Sequence, residues 1–577
     1  MQKRGWVFAL IIILIAGLSI HYYNEQKIKS EESYNSKGWK LYKQGKYDEA
    51  LAEFKKQIER NNNNFYAYSG LAWSHYRKAI YDEAVDFFKI AINLNQNDYD
   101  VHNGLGWSYF HLSQYQNSID SFRQSIDLNP SYADSYSGLG WSYYNLGFSE
   151  NYWSKEFDEW LKNFDNSKNA FERSINLNPK NAWSYTGLGF LYHWKGRKNN
   201  SLSDYEASKR AFEKALELSQ TIPNAYNGLG WTNYFISKSH LPVSLWNSSQ
   251  MINLLEKAIE AGATDHTSQE GLGLVYFSIG DYNESLQHLE EALKMVPNHG
   301  HIYGLMGNNY YRLKADYNYG TYDKSIELFN KALDYDKNDI YALNGLGWIY
   351  NRQGKYQEAI EKFNQVLTYD SNYADSHSGL GFANWKLGNL KLATEQMQKA
   401  ISLSPYDSIP HEHLGFIYMD MGDLELAEKE FNLSTALGDA DFHIYQGMGY
   451  LNFLKGRYGE AVNYYIQSIA KNPRNTNVYL NLGKSYLYLE DYENAKKAFE
   501  KVLEIDDKLS GVYIVISFIH YKQNDLKMSQ EMISKALSIR SNPGYSIASF
   551  SDCMASLSYT SQNVANCIQA VVSQKKL

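Results

Sequence analysis

The stretch Gly104–Phe110 reads GLGWSYF, and close copies of it return along the chain. The copies are GLGWSYY at Gly138–Tyr144, GLGFLYH at Gly187–His193, GLGWTNY at Gly228–Tyr234 and GLGWIYN at Gly345–Asn351. A looser copy, GLAWSHY, occupies Gly70–Tyr76. A block that returns at a near-constant spacing indicates a repeat architecture, in which each unit packs on its neighbours.

Each copy continues with a second apolar series. After Gly345, the residues Tyr356, Ile360, Phe363 and Leu367 follow at intervals of three or four, which is one face of an α-helix. Each unit is therefore expected to be two helices joined by a turn. The second glycine of the block falls inside the first helix, where glycine costs about 1 kcal/mol relative to alanine. We expect a close approach of another helix to be its reason.

The pattern of an aromatic residue, Leu-Gly, a tyrosine, a small residue, a phenylalanine and a small-apolar pair resembles the tetratricopeptide repeat, a helix-turn-helix unit of about 34 residues. We count roughly fourteen copies, which begin near Glu31, Phe65, Tyr99, Ala133, Ala182, Pro223, His266, Gly300, Ile340, Ala374, Ser408, Phe442, Thr476 and Ser510. The resemblance implies an all-α superhelical solenoid over residues 31–543, with a concave face that binds proteins. Residues 544–577 are expected to form a C-terminal helical cap.

The start of the chain predicts a membrane segment. Residues Trp6–Ile20 are uncharged and almost wholly apolar, and Lys3 and Arg4 precede them. Residues 1–23 are therefore expected to form one transmembrane signal-anchor helix with a cytoplasmic N-terminus, followed by a linker over 24–30. A cleaved signal peptide is the alternative. Both interpretations place the repeats outside the cytoplasm.

Composition and motifs argue against other function classes. With 56 basic and 64 acidic side chains, the chain lacks the basic balance expected of a nucleic-acid-binding protein. Gly483-Lys484-Ser485 lacks the upstream glycine of a phosphate loop, and His411-Glu412-His413 lacks the spacing of a zinc helix. We expect no cofactor, no metal and no enzyme activity, because repeats and cap occupy the whole chain. His411, like His102 and His377, is expected to be a core or interface histidine.

The first helix of each copy carries candidate groove residues. At about 100° per residue, positions 2, 5, 9 and 12 of a copy are expected to line the concave face. The residues singled out there are Trp73, Trp107, Trp141, Trp231 and Trp348 at position 9, and Asn103, Asn227 and Asn344 at position 5. They could stack on a glycan or grip an extended peptide, or the tryptophans could simply pack between neighbours. Packing is the interpretation we favour, and the sequence leaves both open.

Copy four is longer than the others by about 15 residues, close to four helical turns. The added segment places Trp153, Phe157, Trp160 and Phe164 at i, i+4, i+7 and i+11, which is one helical face. We expect an extension of the second helix at its N-terminus. Copies five, six and eight are also longer. Such an edge is either a binding edge, with Trp153, Phe157 and Trp160 as candidates, or neutral loop growth.

The chain has two cysteines, Cys553 and Cys567, both in the expected cap. On one continuous helix they would be about 21 Å apart, too far to bond, but a hairpin turning near residues 558–561 would let them meet. A Cys553–Cys567 disulfide is expected in an exported protein, with two unrelated buried thiols as the alternative.

Together these features predict a membrane-anchored, extracytoplasmic scaffold for protein–protein interaction and complex assembly. The alternative is a polysaccharide-binding or polysaccharide-export component that uses the aromatic and asparagine groove. The protein partner is not identified by the sequence.

Overall fold

A computed structural model describes residues 36–149, 157–241, 245–317, 321–437 and 442–539. These residues form 28 α-helices and no strand. The helices follow one another as fourteen consecutive pairs, which we number repeats one to fourteen. In each repeat, the first helix runs into a short connection and then into the second helix.

The bounds of the helices are as follows. The first helices are Lys37–Lys43, Phe65–Arg77, Tyr99–His111, Ala133–Ser149, Ala182–Asn199, Pro223–His240, Thr267–Ser278, Gly300–Tyr317, Ile340–Arg352, Ala374–Lys386, Ser408–Met421, Phe442–Leu454, Thr476–Tyr488 and Ser510–Lys522. The second helices are Tyr47–Arg60, Tyr81–Leu94, Tyr115–Leu128, Phe157–Leu177, Leu202–Leu218, Ser248–Glu260, Tyr282–Met295, Asp323–Tyr335, Tyr356–Tyr369, Leu390–Leu403, Leu424–Leu437, Tyr458–Lys471, Tyr492–Ile505 and Leu526–Ser538.

The predicted all-helical repeat is confirmed. From repeat two onward, every first helix begins at the residue predicted from the sequence, except that repeat seven begins at Thr267 instead of His266. The chain divides into two units, one holding residues up to Ile236 with Ser249–Leu272, the other holding Ser237–Ser248 and the residues from Gly273. Within the regular stretches of each unit, a second helix contacts the first helix of its own repeat and the first helix of the next.

Several predicted features lie outside the described residues. These are the transmembrane segment over residues 1–23, the linker over 24–30, the cap over 544–577, and both cysteines, Cys553 and Cys567. Among the helices that the structure describes, none combines the length and the apolar character needed to cross a membrane.

Local sequence explains where the helices start and turn. The side chain of Asn64 caps the first helix of repeat two by accepting a hydrogen bond from the Ala67 amide at 3.1 Å, and Asn181 and Asn475 do the same for their helices. Such caps satisfy amides that have no partner inside the helix.

The turn between the two helices of a repeat needs a residue in the left-handed conformation. Gly354 adopts that conformation with a φ of 74°, as glycine does at no steric cost.

In seven of the described repeats, the core is a phenylalanine ring held between two glycines. The ring of Phe122 is fully buried. A β-carbon added to Gly106, in the first helix of the same repeat, would lie 2.8 Å from Phe122 Cδ1. One added to Gly138, in the first helix of the next repeat, would lie closer still to Cζ of that ring. Both glycines are therefore required for the two first helices to close on the ring.

The same arrangement recurs in both units. In the second unit, Phe363 lies between Gly347 of its own repeat and Gly379 of the next. The phenylalanines that meet two glycines have none of their surface exposed, and they are Phe54, Phe122, Phe171, Phe212, Phe329, Phe363 and Phe431. Phe88 and Phe499 are buried in the equivalent place, but each meets one glycine, Gly104 and Gly483. Close helix approach, which the sequence predicted as the reason for the glycines, is thus an approach to this ring.

We predict that Gly138→Ala lowers the free energy of unfolding by about 1–3 kcal/mol, the usual cost of overfilling a packed core. Gly459 is the matched control, because it also lies in a helix, Tyr458–Lys471, but an added β-carbon there meets no atom within 4 Å. Gly459→Ala should raise stability by up to about 1 kcal/mol through helix propensity. Urea unfolding of both variants measures this. Equal shifts would contradict the role assigned to Gly138.

Candidate functional site

The tryptophans at position 9 pack on the buried phenylalanines. Positions are counted from the first residue of each predicted copy, so that Tyr99 is position 1 of repeat three. The ring centroid of Trp107 lies 5.3 Å from that of Phe122, edge to face, and Trp348 lies 5.7 Å from Phe363 in the same way. Such contacts are worth about 0.5–1.5 kcal/mol beyond burial. These two tryptophans are partly exposed, so part of each side chain remains on the surface.

The indole N–H groups bond to the next repeat. Their acceptors all lie at position 2 of that repeat, and the bonds are Trp73 Nε1 to Asp100 Oδ2 at 3.1 Å, Trp107 Nε1 to Asp134 Oδ2 at 3.0 Å, Trp348 Nε1 to Asp375 Oδ2 at 3.0 Å, and Trp231 Nε1 to the Thr267 carbonyl at 3.2 Å. The tryptophans therefore join neighbouring repeats by hydrogen bonds as well as by packing.

The asparagines at position 5 serve the same junction. Asn103 donates from Nδ2 to Asp134 Oδ2 at 2.9 Å and accepts from Ser135 Oγ at 3.0 Å. Asn344 makes the equivalent bonds to Asp375 at 2.5 Å and from Ser376 at 2.8 Å. We call this set of position 9, position 5 and the next position 2 the inter-repeat latch.

The prediction that position 5 lines the groove needs a correction. Asn103 is 1% exposed, and Asn344 and Asn227 are also buried. Asn227 donates to Thr267 Oγ1 at 2.6 Å. The next first helix covers these side chains, so their amides face a neighbouring repeat and not the open surface.

One latch carboxyl has a shifted pKa. Asp100 accepts from Trp73 through Oδ2 and from the Tyr132 hydroxyl through Oδ1 at 3.2 Å. Burial, assisted by the charge of Asp98, raises the pKa of Asp100 to about 6. The folded chain holds a proton on Asp100 more tightly than the unfolded chain does. Asp100 therefore becomes protonated in the folded protein as the pH falls through about 6.

The latch is incomplete between repeats four and five. Position 2 of repeat five is Trp183 instead of an aspartate, and its ring is 51% exposed. Trp141 of repeat four is 8% exposed, and its indole N–H has no hydrogen-bond partner among the described residues. The two rings lie edge to face, with centroids 6.2 Å apart. A large exposed aromatic surface thus replaces a carboxylate at this junction.

The longer copies extend their helices. The first helices of repeats four, five, six and eight have 17, 18, 18 and 18 residues, against 13 for Phe65–Arg77. The second helix of repeat four has 21 residues and begins at Phe157, as expected for an N-terminal extension. Trp153 lies outside the described residues, and the side chains of Phe157 and Trp160 are not described. Phe164 is buried in the core.

The extended ends carry a group that the sequence analysis missed. The Arg197 guanidinium lies over the rings of Trp194 and Phe235, 4.7 and 4.4 Å from their centroids. Trp194 donates from Nε1 to the Tyr144 hydroxyl at 2.9 Å. The sequence shows an arginine three residues after a tryptophan, at the end of a lengthened helix. It does not show the second ring under Arg197, because Phe235 belongs to the next repeat.

His411 and His413 lie in the core of the second unit. His411 Nδ1 lies 2.6 Å from Glu430 Oε2 in the core, as expected of an interface histidine. His413 packs against Phe382 and Trp385, and burial lowers its pKa to about 3. Across the residues that the structure describes, no group of three His, Cys, Asp or Glu side chains could hold a metal ion.

Family models match much of the chain. Models described as TPR repeat or tetratricopeptide repeat match residues 36–99, 106–147, 185–222, 267–296, 328–361, 347–388, 374–407 and 476–509. A curated relative is the formate-dependent nitrite reductase complex subunit NrfG of Escherichia coli O157:H7, 31% identical over 77 residues. That match covers 13% of this chain and 39% of NrfG.

Three solved structures match parts or most of this chain at low sequence identity. The APC/C hetero-tetramer Cut9–Hcn1 matches at 14% identity and a TM-score of 0.48, over 92% of this chain and 95% of that chain. MamA matches at 22% identity and 0.27, over 28% and 94%. YrrB, a TPR protein with an unusual peptide-binding site, matches at 15% and 0.29, over 31% and 93%. Family models match at eight places, and the described residues form fourteen helix pairs. This protein therefore belongs to the tetratricopeptide-repeat family.

Proposed function

We propose that this protein is a membrane-anchored scaffold outside the cytoplasm, which binds a protein partner along the aromatic face of its first helices and on the extended edge of repeats four to six. Tetratricopeptide repeats indicate a protein–protein interaction scaffold. The anchor and the location rest on the apolar segment Trp6–Ile20 and the basic residues before it.

The partly exposed aromatic face is the observation that carries the proposal. Trp73, Trp107, Trp231 and Trp348 bond their N–H groups to the next repeat and remain partly exposed. Exposed aromatic surface that is fixed in place loses little conformational freedom on binding, which is why such rings dominate protein interfaces.

The same geometry favours a protein over a glycan. A sugar needs hydrogen-bonding groups beside the ring on which it stacks. The asparagines that were expected to supply them, Asn103, Asn227 and Asn344, are buried, and their amide nitrogens are bonded to the next repeat.

A photo-crosslinking amino acid tests the protein-binding face. Placed at Lys386, which is exposed and lies over the Trp385 ring, it should give a discrete crosslink to another protein in the cells that make this chain. The matched control is Lys399, exposed on the second helix of the same repeat, where no such product is expected. Equal crosslinking at both positions, or none at Lys386, would argue against the proposed face.

A second experiment tests the packing role of the tryptophan at position 9. Trp107→Ala should lower the free energy of unfolding by about 3 kcal/mol, because it removes the ring on Phe122. Trp107→Phe should lower it less, by about 1–2 kcal/mol, because it removes the bond to Asp134 and part of the ring. Trp183→Ala, at an exposed ring, should change it by less than about 1 kcal/mol. Urea unfolding gives the three values. A Trp107→Ala variant as stable as the wild type would refute the packing role.

The location has its own test. A reporter that is active only in the cytoplasm, fused after Leu577, should be silent, because the anchor places the repeats on the other side of the membrane. The same fusion without residues 1–23 should be active and serves as the control. Strong activity of the full-length fusion would contradict the proposed location.

A further inference from the structure

One stripe of the first helix of repeat five presents unusual side chains. Trp183, Phe190, Trp194 and Arg197 follow at i, i+7, i+11 and i+14 along Ala182–Asn199. At about 100° per residue, these four side chains spread over less than half of the circumference of the helix, so they lie on one side of it. Its two ends, Trp183 and Arg197, are about 21 Å apart along the helix axis.

The N-terminal end of the stripe is an apolar anchor point. Trp183 is 51% exposed, and it occupies the position at which Asp134 and Asp375 of other repeats accept latch bonds. Its ring rests edge to face on Trp141, so the exposed surface has a buried partner behind it. A half-exposed tryptophan supported from behind is the kind of residue that anchors a partner side chain.

The C-terminal end carries a cation, Arg197, that has no counter-ion among the described residues. The Arg197 side chain makes no ion pair and no hydrogen bond with another described residue, whereas its neighbour Lys195 pairs with Asp204 at 3.2 Å. Its guanidinium lies over two rings, and Phe235 is itself stacked on Trp231 with centroids 5.9 Å apart. An arginine that rests on aromatic rings keeps the N–H groups at its edge for a planar acceptor, of which a carboxylate fits best.

We propose that Trp183 and Arg197 form a two-point docking site for an extended acidic segment of the protein partner. An aromatic or aliphatic side chain of the segment packs on Trp183, and an Asp or Glu carboxylate pairs with Arg197. A separation of about 21 Å takes about six extended residues, against about 14 helical ones. The extended segment orders fewer residues on binding, which costs less conformational entropy. This inference rests on the proposed function.

A phage-displayed random dodecapeptide library, panned on the full chain, tests the site. Enriched peptides should carry an acidic residue about six positions from an aromatic or aliphatic one. Their affinity, measured by fluorescence polarisation, should fall roughly tenfold or more in Arg197→Gln and in Trp183→Ala. Arg197→Lys should recover part of the loss, because lysine keeps the charge but not the planar donor edge.

Matched controls lie on the second helix of the same repeat. Arg210→Gln removes an exposed arginine that pairs with Glu206 at 3.8 Å, and Leu202→Ala removes an exposed apolar side chain; neither should change peptide affinity. Enriched peptides without acidic residues, equal effects of Arg197→Gln and Arg210→Gln, or no enrichment would each overturn this inference. Crosslinking at Lys386 judges the proposed function separately, because it does not involve repeat five.

Discussion

A phenylalanine ring between two glycine-bearing helices is the constraint on which the rest of this structure depends. Phe122 fills the space between Gly106 and Gly138, and neither glycine could carry a β-carbon without moving the ring. Apolar burial of a ring contributes about 1.5–3 kcal/mol, and here that contribution requires two successive repeats at once. The fold therefore consists of a series of ring sites, each formed partly by one repeat and partly by the next.

One departure from the motif supports this view, because it changes both partners of a shared site. Position 6 of repeat eleven is His413 instead of glycine, and the preceding repeat has Met397 where others have phenylalanine. The flexible methionine still meets the glycine of its own repeat, Gly381, with Cε 2.9 Å from an added β-carbon. The larger His413 side chain on one helix is thus accompanied by the more flexible Met397 side chain on its neighbour.

The sequence predicted the repeat unit well because its determinants are local. Helical spacing and the GLG block placed nearly every first helix at its observed start. The asparagine at position 5 was misplaced for a physical reason. A helical wheel gives the direction of Asn103 around its own helix, but the neighbouring first helix that covers it is a tertiary feature. The Arg197 group was missed likewise, since its ring Phe235 lies 38 residues away in the chain.

The shared phenylalanine site also decides where this chain can be cut. A fragment that ends after a second helix, for example after Leu128, leaves the Phe122 ring covered by Gly106 alone and exposes its other face to water. A fragment that ends after the following first helix, at Ser149, carries Gly138 and keeps the ring enclosed. The natural module for truncation or transplantation is thus a whole number of helix pairs plus one further first helix.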